Sequence, residues 1–388
     1  MKEYNFDLVI DRKNTNSIKW DFLKENNRNE DTLAVWVADM DLVGCKEVSE
    51  AINNASKNTI LGYTDTKNEY FELVSDWYKK YFDFYIKKES FIMSPGVVYS
   101  VNLAVKAFTK ENDAILFMTP SYPPFKRAIV NNNRKAIESD LILVNDIYQI
   151  DFDDIERKII ENDVKMLIFC SPHNPSGRVW TKEEIKKIGD ICLKYNVIVF
   201  SDEIHSDFTY KNYKHYMFTS IDDKYKNNTI IALAPSKTFN IAGLQTSYAI
   251  IENESLREKF IKELDSFGFH TVNMLGQVAS FACYKYGRVW LEELKEYLEA
   301  NLNYFKEAIK ELKGIKLIEP QGTYLLWLDM SELALGDKLY DKIKDECRLW
   351  VNEGNTFGES YSNFIRINIA TQKSVLVKVI ERLKLLCN

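Results

Sequence analysis

A chain of 388 residues is too long for one ordinary core, so two domains are expected, and 46% hydrophobic against 28% charged residues is globular rather than disordered or fibrous composition. A net charge of −6 offers no electrostatic reason to bind nucleic acid or an anionic membrane, which leaves a small solute as the default ligand. Six cysteines without a Cys-x-x-Cys pair and four histidines without a His-x-x-x-His pair argue for buried thiols, against a disulfide framework and against a metal centre.

The stretch from Met1 to Asp7 has neither the basic start nor the apolar run of a secretory signal, and no run of about 18 apolar residues could span a bilayer, so a cytoplasmic protein is expected. Asp39 and Asp41, in Trp36-Val37-Ala38-Asp39-Met40-Asp41, either line a site mouth or cap the turn before Leu42-Val43-Gly44, and receive no catalytic role. From about residue 90 to 250 short apolar runs alternate with helical segments, the pattern of βαβ units and a largely parallel sheet. Phe91-Ile92-Met93-Ser94-Pro95-Gly96 leads into a helix through Val105. The free N–H groups and positive dipole end at its start suit a phosphate, although a lone glycine is a weak signal.

The clearest unit begins with Met166-Leu167-Ile168-Phe169-Cys170, which reads as a buried strand, and Ser171-Pro172-His173-Asn174-Pro175-Ser176-Gly177, a loop dense in turn residues. Thr181 and Glu184 form a capping-box pattern, and Ile185, Ile188, Cys192 and Tyr195 keep helical spacing before the run Val197-Ile198-Val199-Phe200. Asn174 and Asp202 then leave the carboxyl ends of two strands. Lys237, in Ala234-Pro235-Ser236-Lys237-Thr238, leaves that of a third, Ile230-Ile231-Ala232-Leu233. Ligands of open α/β sheets collect outside those ends.

An amine able to form an imine, a carboxylate and a hydrogen-bond donor are what pyridoxal phosphate (PLP) needs for its aldehyde, its ring nitrogen and its phenolic oxygen. Taken singly, each residue has a plainer reading. Most lysines are solvated, and a strand-end aspartate is more often an N-cap or a salt-bridge partner. Three strand ends in register favour the cofactor.

After about residue 285 the pattern changes to a long helix from Val289 to Leu312, with Leu291, Leu294, Leu298, Leu302, Phe305 and Ile309 along one stripe. Strands are expected over Gly322-Thr323-Tyr324-Leu325-Leu326-Trp327 and from Asn363 to Ile369, and an amphipathic helix around Val375, Val379, Ile380 and Leu383, so this part reads as α+β. In the second of those strands Ile365, Ile367 and Ile369 share one face, which puts Phe364, Arg366 and Asn368 on the other. Arg366 is then either a surface residue of a half-buried strand or a fork for a carboxylate.

Together, Trp36 to Asp41, Gly62-Tyr63-Thr64, Pro172-His173-Asn174-Pro175, Ser201-Asp202-Glu203-Ile204-His205, Pro235 to Gln245 and Phe364 to Ala370 resemble the fold-type I PLP enzymes. Within the aminotransferase class I/II superfamily, the set is most similar to the bacterial cystathionine β-lyase or C-S lyase branch, the MalY/PatB type. The resemblance implies an α/β large domain over residues 49–285 with a mostly parallel sheet, a smaller α+β domain over 286–388, and an N-terminal segment, 1–48, joining the small domain. It also implies a homodimer. By the same resemblance Lys237 is the Schiff-base lysine, Asp202 pairs with the pyridinium nitrogen, Asn174 and His205 lie near the phenolic oxygen, and Tyr122 stacks on the ring. Gly96, Val97 and Ser236 hold the phosphate, Tyr63 reaches across from the other subunit, and Arg366 grips the substrate α-carboxylate beside Asn174.

Two positions depart from the pattern: Pro123 stands where the branch often has a second tyrosine, and Gln245 where typical class I aminotransferases have an arginine clamping the phosphate. The expected reaction is α,β-elimination of a cysteine-type substrate such as L-cystathionine to a thiol, pyruvate and ammonia. A true aminotransferase shares the early steps and is the nearest alternative, with a PLP-binding regulatory protein acting through a protein partner as the next.

Overall fold

In a computed structural model of the chain, which describes residues 2–57 and 60–387, the strands Ala114–Thr119, Met166–Cys170 and Thr229–Leu233 are buried at every position. Runs apolar throughout need cover on both faces, the environment of parallel strands between helices. They lie in a seven-stranded sheet of order Phe91–Ser94, Ser247–Ile250, Thr229–Leu233, Ile198–Asp202, Met166–Cys170, Ala114–Thr119, Lys135–Asp140. Neighbours pair in parallel except at Ser247–Ile250, which is antiparallel to both strands beside it.

Alternation then sorts the side chains. Leu116, Leu167, Phe169 and Val199 pack with Ile155 and Ile159 of the helix Phe152–Asn162 and with Ile185 and Ile188 of Lys182–Lys194. Ile115, Phe117, Ile168, Phe200 and Ala232 pack with Val101 and Val105 of Val97–Phe108 and Phe260 of Glu254–Ser266. The helix Lys182–Lys194 starts at the expected capping box: the Thr181 N–H donates to Glu184 Oε2 at 2.8 Å and the Glu184 N–H to Thr181 Oγ1 at 3.2 Å.

Register sets the site. Cys170 pairs with Asp202 and Asp202 with Ala232, so three adjacent strands end level. Asn174 lies four residues beyond Cys170 and Lys237 four beyond Leu233, so both return to the same end of the sheet as Asp202.

The turn-rich segment 171–177 is not an ordinary surface loop, for each of its residues is buried. Its polar backbone is met from within, the Gly177 N–H donating to His173 O at 2.8 Å, and from a distant segment, the Gln321 and Gly322 N–H groups donating to Gly177 O at 2.9 and 2.8 Å. The same tie corrects a strand boundary. Gln321 and Gly322 are held by Gly177, and Thr323 has a left-handed φ of 64°, so the strand expected from Gly322 begins only at Leu325 and runs to Asp329.

A second, antiparallel sheet has the order Lys316–Leu317, Leu325–Asp329, Phe364–Asn368, Asn352–Glu353. The helix Arg288–Ile309 buries the whole expected stripe, Leu291, Leu294, Leu298, Leu302, Phe305 and Ile309, and Lys373–Leu383 buries Leu376, Val379, Ile380 and Leu383. Leu33–Ala34 pairs in parallel with Leu349–Trp350, so the N-terminal stretch is stitched to the C-terminal one. No helix of the described residues is long and apolar enough to cross a membrane. Leu294 is fully buried in the large core; Leu294→Ala is expected to lower stability by about 2–5 kcal/mol, read as a shift of the denaturant midpoint.

Candidate active site

Outside the level strand ends lies a cavity of about 480 Å³. Gly96, Val97, Tyr122, Asn174, Asp202, His205, Ser236 and Lys237 all line it, so eight of the ten expected site residues meet there. Arg366 joins them through Asn174: its Nη1 donates to Asn174 Oδ1 at 2.8 Å. Tyr63 does not, being fully exposed. A larger cavity of about 680 Å³, lined in part by Glu47, Glu69, Tyr70 and Phe281, contains none of the expected residues.

Lys237 sits in the short helix Pro235–Thr238, and its Nζ donates to Ala38 O at 2.7 Å. Desolvation, with help from the Arg366 charge, brings its pKa down to about 8. Asp202 is buried, and desolvation drives its pKa up to about 7, against the pull of the Ile204 N–H that donates to Oδ1 at 3.1 Å. A strand-end aspartate used only as a turn cap has no need of such a place. His205 is buried and held neutral, its pKa pushed down to about 3 by burial, and its Nδ1 has no hydrogen-bond partner among the described residues.

Arg366 is 4% exposed, which removes the surface-residue reading. Both faces of its strand are buried because the segment 36–39 covers the face that alternation assigns to Arg366 and Asn368. Its Nη2 donates to Trp36 O at 3.0 Å and to Asn352 Oδ1, its guanidinium lies 5.0 Å from the Phe357 ring centroid, and Nε is buried without a partner. Desolvation lowers its pKa to about 10, so it stays cationic near neutrality. Among the described residues neither Lys237 nor Arg366 is hydrogen-bonded to a carboxylate.

Tyr122 precedes the helix Pro123–Val130, with its ring edge-on to Phe125 at 5.7 Å, and burial raises its pKa, keeping it a neutral phenol. Gly96 precedes the helix Val97–Phe108 with no side-chain cap. Its backbone is extended (φ 172°), so conformation does not call for glycine, and an added Cβ would meet no protein atom within 4 Å. First-turn N–H groups beside the cavity suit an anion.

Residue-type reasoning missed the backbone of residues 36–40. Five successive carbonyls accept side-chain donors: Trp36 O from Arg366, Val37 O and Asp39 O from Asn368 Nδ2, Ala38 O from Lys237 and from Tyr324 Oη, and Met40 O from Asn240 Nδ2. Asn352 was likewise unmarked, as one of two polar residues in a two-residue strand. The alternation that pairs Arg366 with Asn368 was the one signal pointing toward this segment. Asp39 and Asp41 are held by Arg12 at 2.7 Å each, and Asp41 also by Lys19.

The family profile for aminotransferase class I and II matches residues 33–383. The chain belongs to this family. It is 36% identical over 382 residues to cystathionine β-lyase PatB of Bacillus subtilis, covering 98% of this chain and 99% of that protein. Among solved structures it is similar to a PLP-bound putative aminotransferase from Clostridium difficile (40% identity, TM-score 0.96, 99% of this chain and 100% of the other). It is also similar to cystalysin from Treponema denticola, whose structure contains a pyridoxal 5'-phosphate cofactor (37% identity, TM-score 0.95, 99% and 98%). The family accounts for the central sheet and its helical cover.

In cofactor-free protein, Lys237 is expected to be alkylated by a small aldehyde and borohydride with a half-maximal rate near pH 8, its free-base form prevailing above that value. Surface lysines are expected to respond only near their ordinary value of about 10.4. Peptide mass mapping across pH distinguishes the two, and a Lys237 profile that coincides with the surface lysines is the contrary result.

Proposed function

We propose that the chain is a PLP-dependent carbon–sulfur lyase that converts cysteine S-conjugates such as L-cystathionine to a thiol, pyruvate and ammonia by α,β-elimination. The observation that carries this reading is a buried guanidinium, Arg366, lacking a carboxylate partner and joined through Asn174 to the cavity that holds Lys237.

PLP fits the residues present. Asp202 is a buried carboxylate in want of a cation, the cofactor's ring nitrogen; His205 Nδ1 and the Asn174 amide would flank the phenolic oxygen. Gly96, Val97 and Ser236 would hold the phosphate at the helix start, Tyr122 would cover the ring, and Lys237 would hold the aldehyde carbon. When bound, PLP supplies an electron sink for charge developing at the substrate Cα.

Arg366 would take the α-carboxylate as a planar fork and so fix which bond at Cα stands ready to break. Lys237 Nζ, released when the substrate amine takes its place at the aldehyde carbon, would be the base for the Cα proton: a pKa of about 8 leaves part of it deprotonated near neutrality, and Ala38 O would accept a hydrogen bond from the ammonium that forms. A sulfur group departs readily because a free thiol ionises at about 8.5. Gln245, where an arginine clamps phosphate in typical class I aminotransferases, and the cystathionine β-lyase name of the Bacillus subtilis relative both support elimination over transamination.

The reading includes a homodimer in which Tyr63 enters the second subunit's cavity, supported by the full exposure of Tyr63 and the high exposure of its apolar neighbours Ile60 and Leu61. It also includes a division of the chain at residues 48 and 285, supported by the Leu33–Leu349 pairing and the start of the long helix, and a cytoplasmic setting.

Purified protein with PLP and L-cystathionine is expected to release pyruvate without any keto-acid acceptor; activity that appears only with an acceptor would make it an aminotransferase. Lys237→Ala is expected to abolish pyruvate release, and an effect on a partner protein surviving that substitution would favour a regulatory role. Arg366→Lys, which loses the fork, is expected to raise KM for the amino acid on the order of 10-fold or more, measured by initial rates.

A further inference from the structure

Glu203 follows Asp202 in the chain but is absent from the cavity wall and has no solvent exposure. Its carboxylate is met by three donors: Ser201 Oγ at 2.8 Å and the Phe218 N–H at 3.0 Å on Oε1, and His215 Nε2, 2.7 Å from Oε2. His215 is 3% exposed, edge-on to Phe82, with Nδ1 3.4 Å from Ser171 Oγ. Ser171 in turn donates its N–H to Asp202 O at 3.0 Å, so the cluster touches both the Asp202 strand and the loop bearing Asn174. None of these groups takes part in the reaction proposed above.

Two buried carboxylates at consecutive positions oppose one another's ionisation. Burial alone already pushes Asp202 toward its neutral form, and the Glu203 charge adds to that push. A neutral Asp202 could not hold a cationic ring nitrogen. We propose that His215 is a charge-balancing positioning residue: a proton shared with Glu203 leaves the pair without net charge, so that Asp202 is the anion presented to the PLP ring nitrogen. The inference rests on the PLP reading of the site.

The test is titration of cofactor-free protein with PLP, followed by fluorescence, for the parent, His215→Asn, Glu203→Gln and the double variant. His215→Asn is expected to weaken PLP binding about 10-fold or more, the equivalent of one pKa unit at Asp202. Glu203→Gln alone is expected to stay within about 2-fold of the parent, and adding it to His215→Asn is expected to restore binding to the same range. A purely packing role predicts that the double variant binds no more tightly than His215→Asn; that result, or parent-like binding by His215→Asn, overturns the proposal. If His215→Asn does not fold, His215→Gln with and without Glu203→Gln gives the same comparison. Failure of the parent itself to bind PLP would instead refute the cofactor reading.

Discussion

Five consecutive carbonyls, from Trp36 to Met40, organise the cleft. Each accepts a side-chain donor, and the donors come from four parts of the chain: Arg12 near the start, Arg366 and Asn368 on the second sheet, Tyr324 just before its long strand, and Lys237 and Asn240 between two strands of the first sheet. Successive hydrogen bonds onto a half-buried backbone restrict its freedom, so this stretch is held by the very residues whose placement the site needs. The amine of Lys237 and the fork of Arg366 are thereby measured against a single piece of backbone. Their separation depends less on how the two sheets happen to pack than on where neighbouring carbonyls point.

Around this spine the cleft withholds counter-charges. Among the described residues, Asp202 is buried without an ion-paired cation, Arg366 without a carboxylate, and His205 is kept neutral with a ring nitrogen unmet. Some other buried charges are paired: Arg178 meets Glu184, and Lys19 and Arg12 meet Asp39 and Asp41. An arrangement that spends burial on isolated charges is complementary to a ligand that brings the opposite signs. The strain falls on the protein until that ligand arrives.

Much of this was legible in the sequence. Lys237, Asp202 and Asn174 stood at the ends of apolar runs, and period-2 spacing set Arg366 on the same face as Asn368, which is how both reach the 36–40 stretch. What stayed hidden depended on distant partners. Residues 171–177 have surface-loop composition yet are buried, because Gln321 and Gly322 supply hydrogen bonds from far along the chain. The strand start at Leu325 was displaced by the left-handed Thr323, where nothing in the residue type announces a positive φ. The carbonyl of Ala38 has no signature at all, since every residue carries one.

The elevated pKa of Asp202 has a consequence for the newly made polypeptide. An unfolded aspartate ionises at about 3.9, whereas the folded one does so at about 7; between these values the native form binds more protons, so the cofactor-free protein loses stability as pH climbs from about 4 to 7 and does not regain that share above it. On the reading proposed above, a cofactor that places a positive nitrogen opposite this carboxylate would offset the loss and act as a folding ligand as well as a reagent. Vitamin supply would then govern how much enzyme survives in the cell, not merely how much is active.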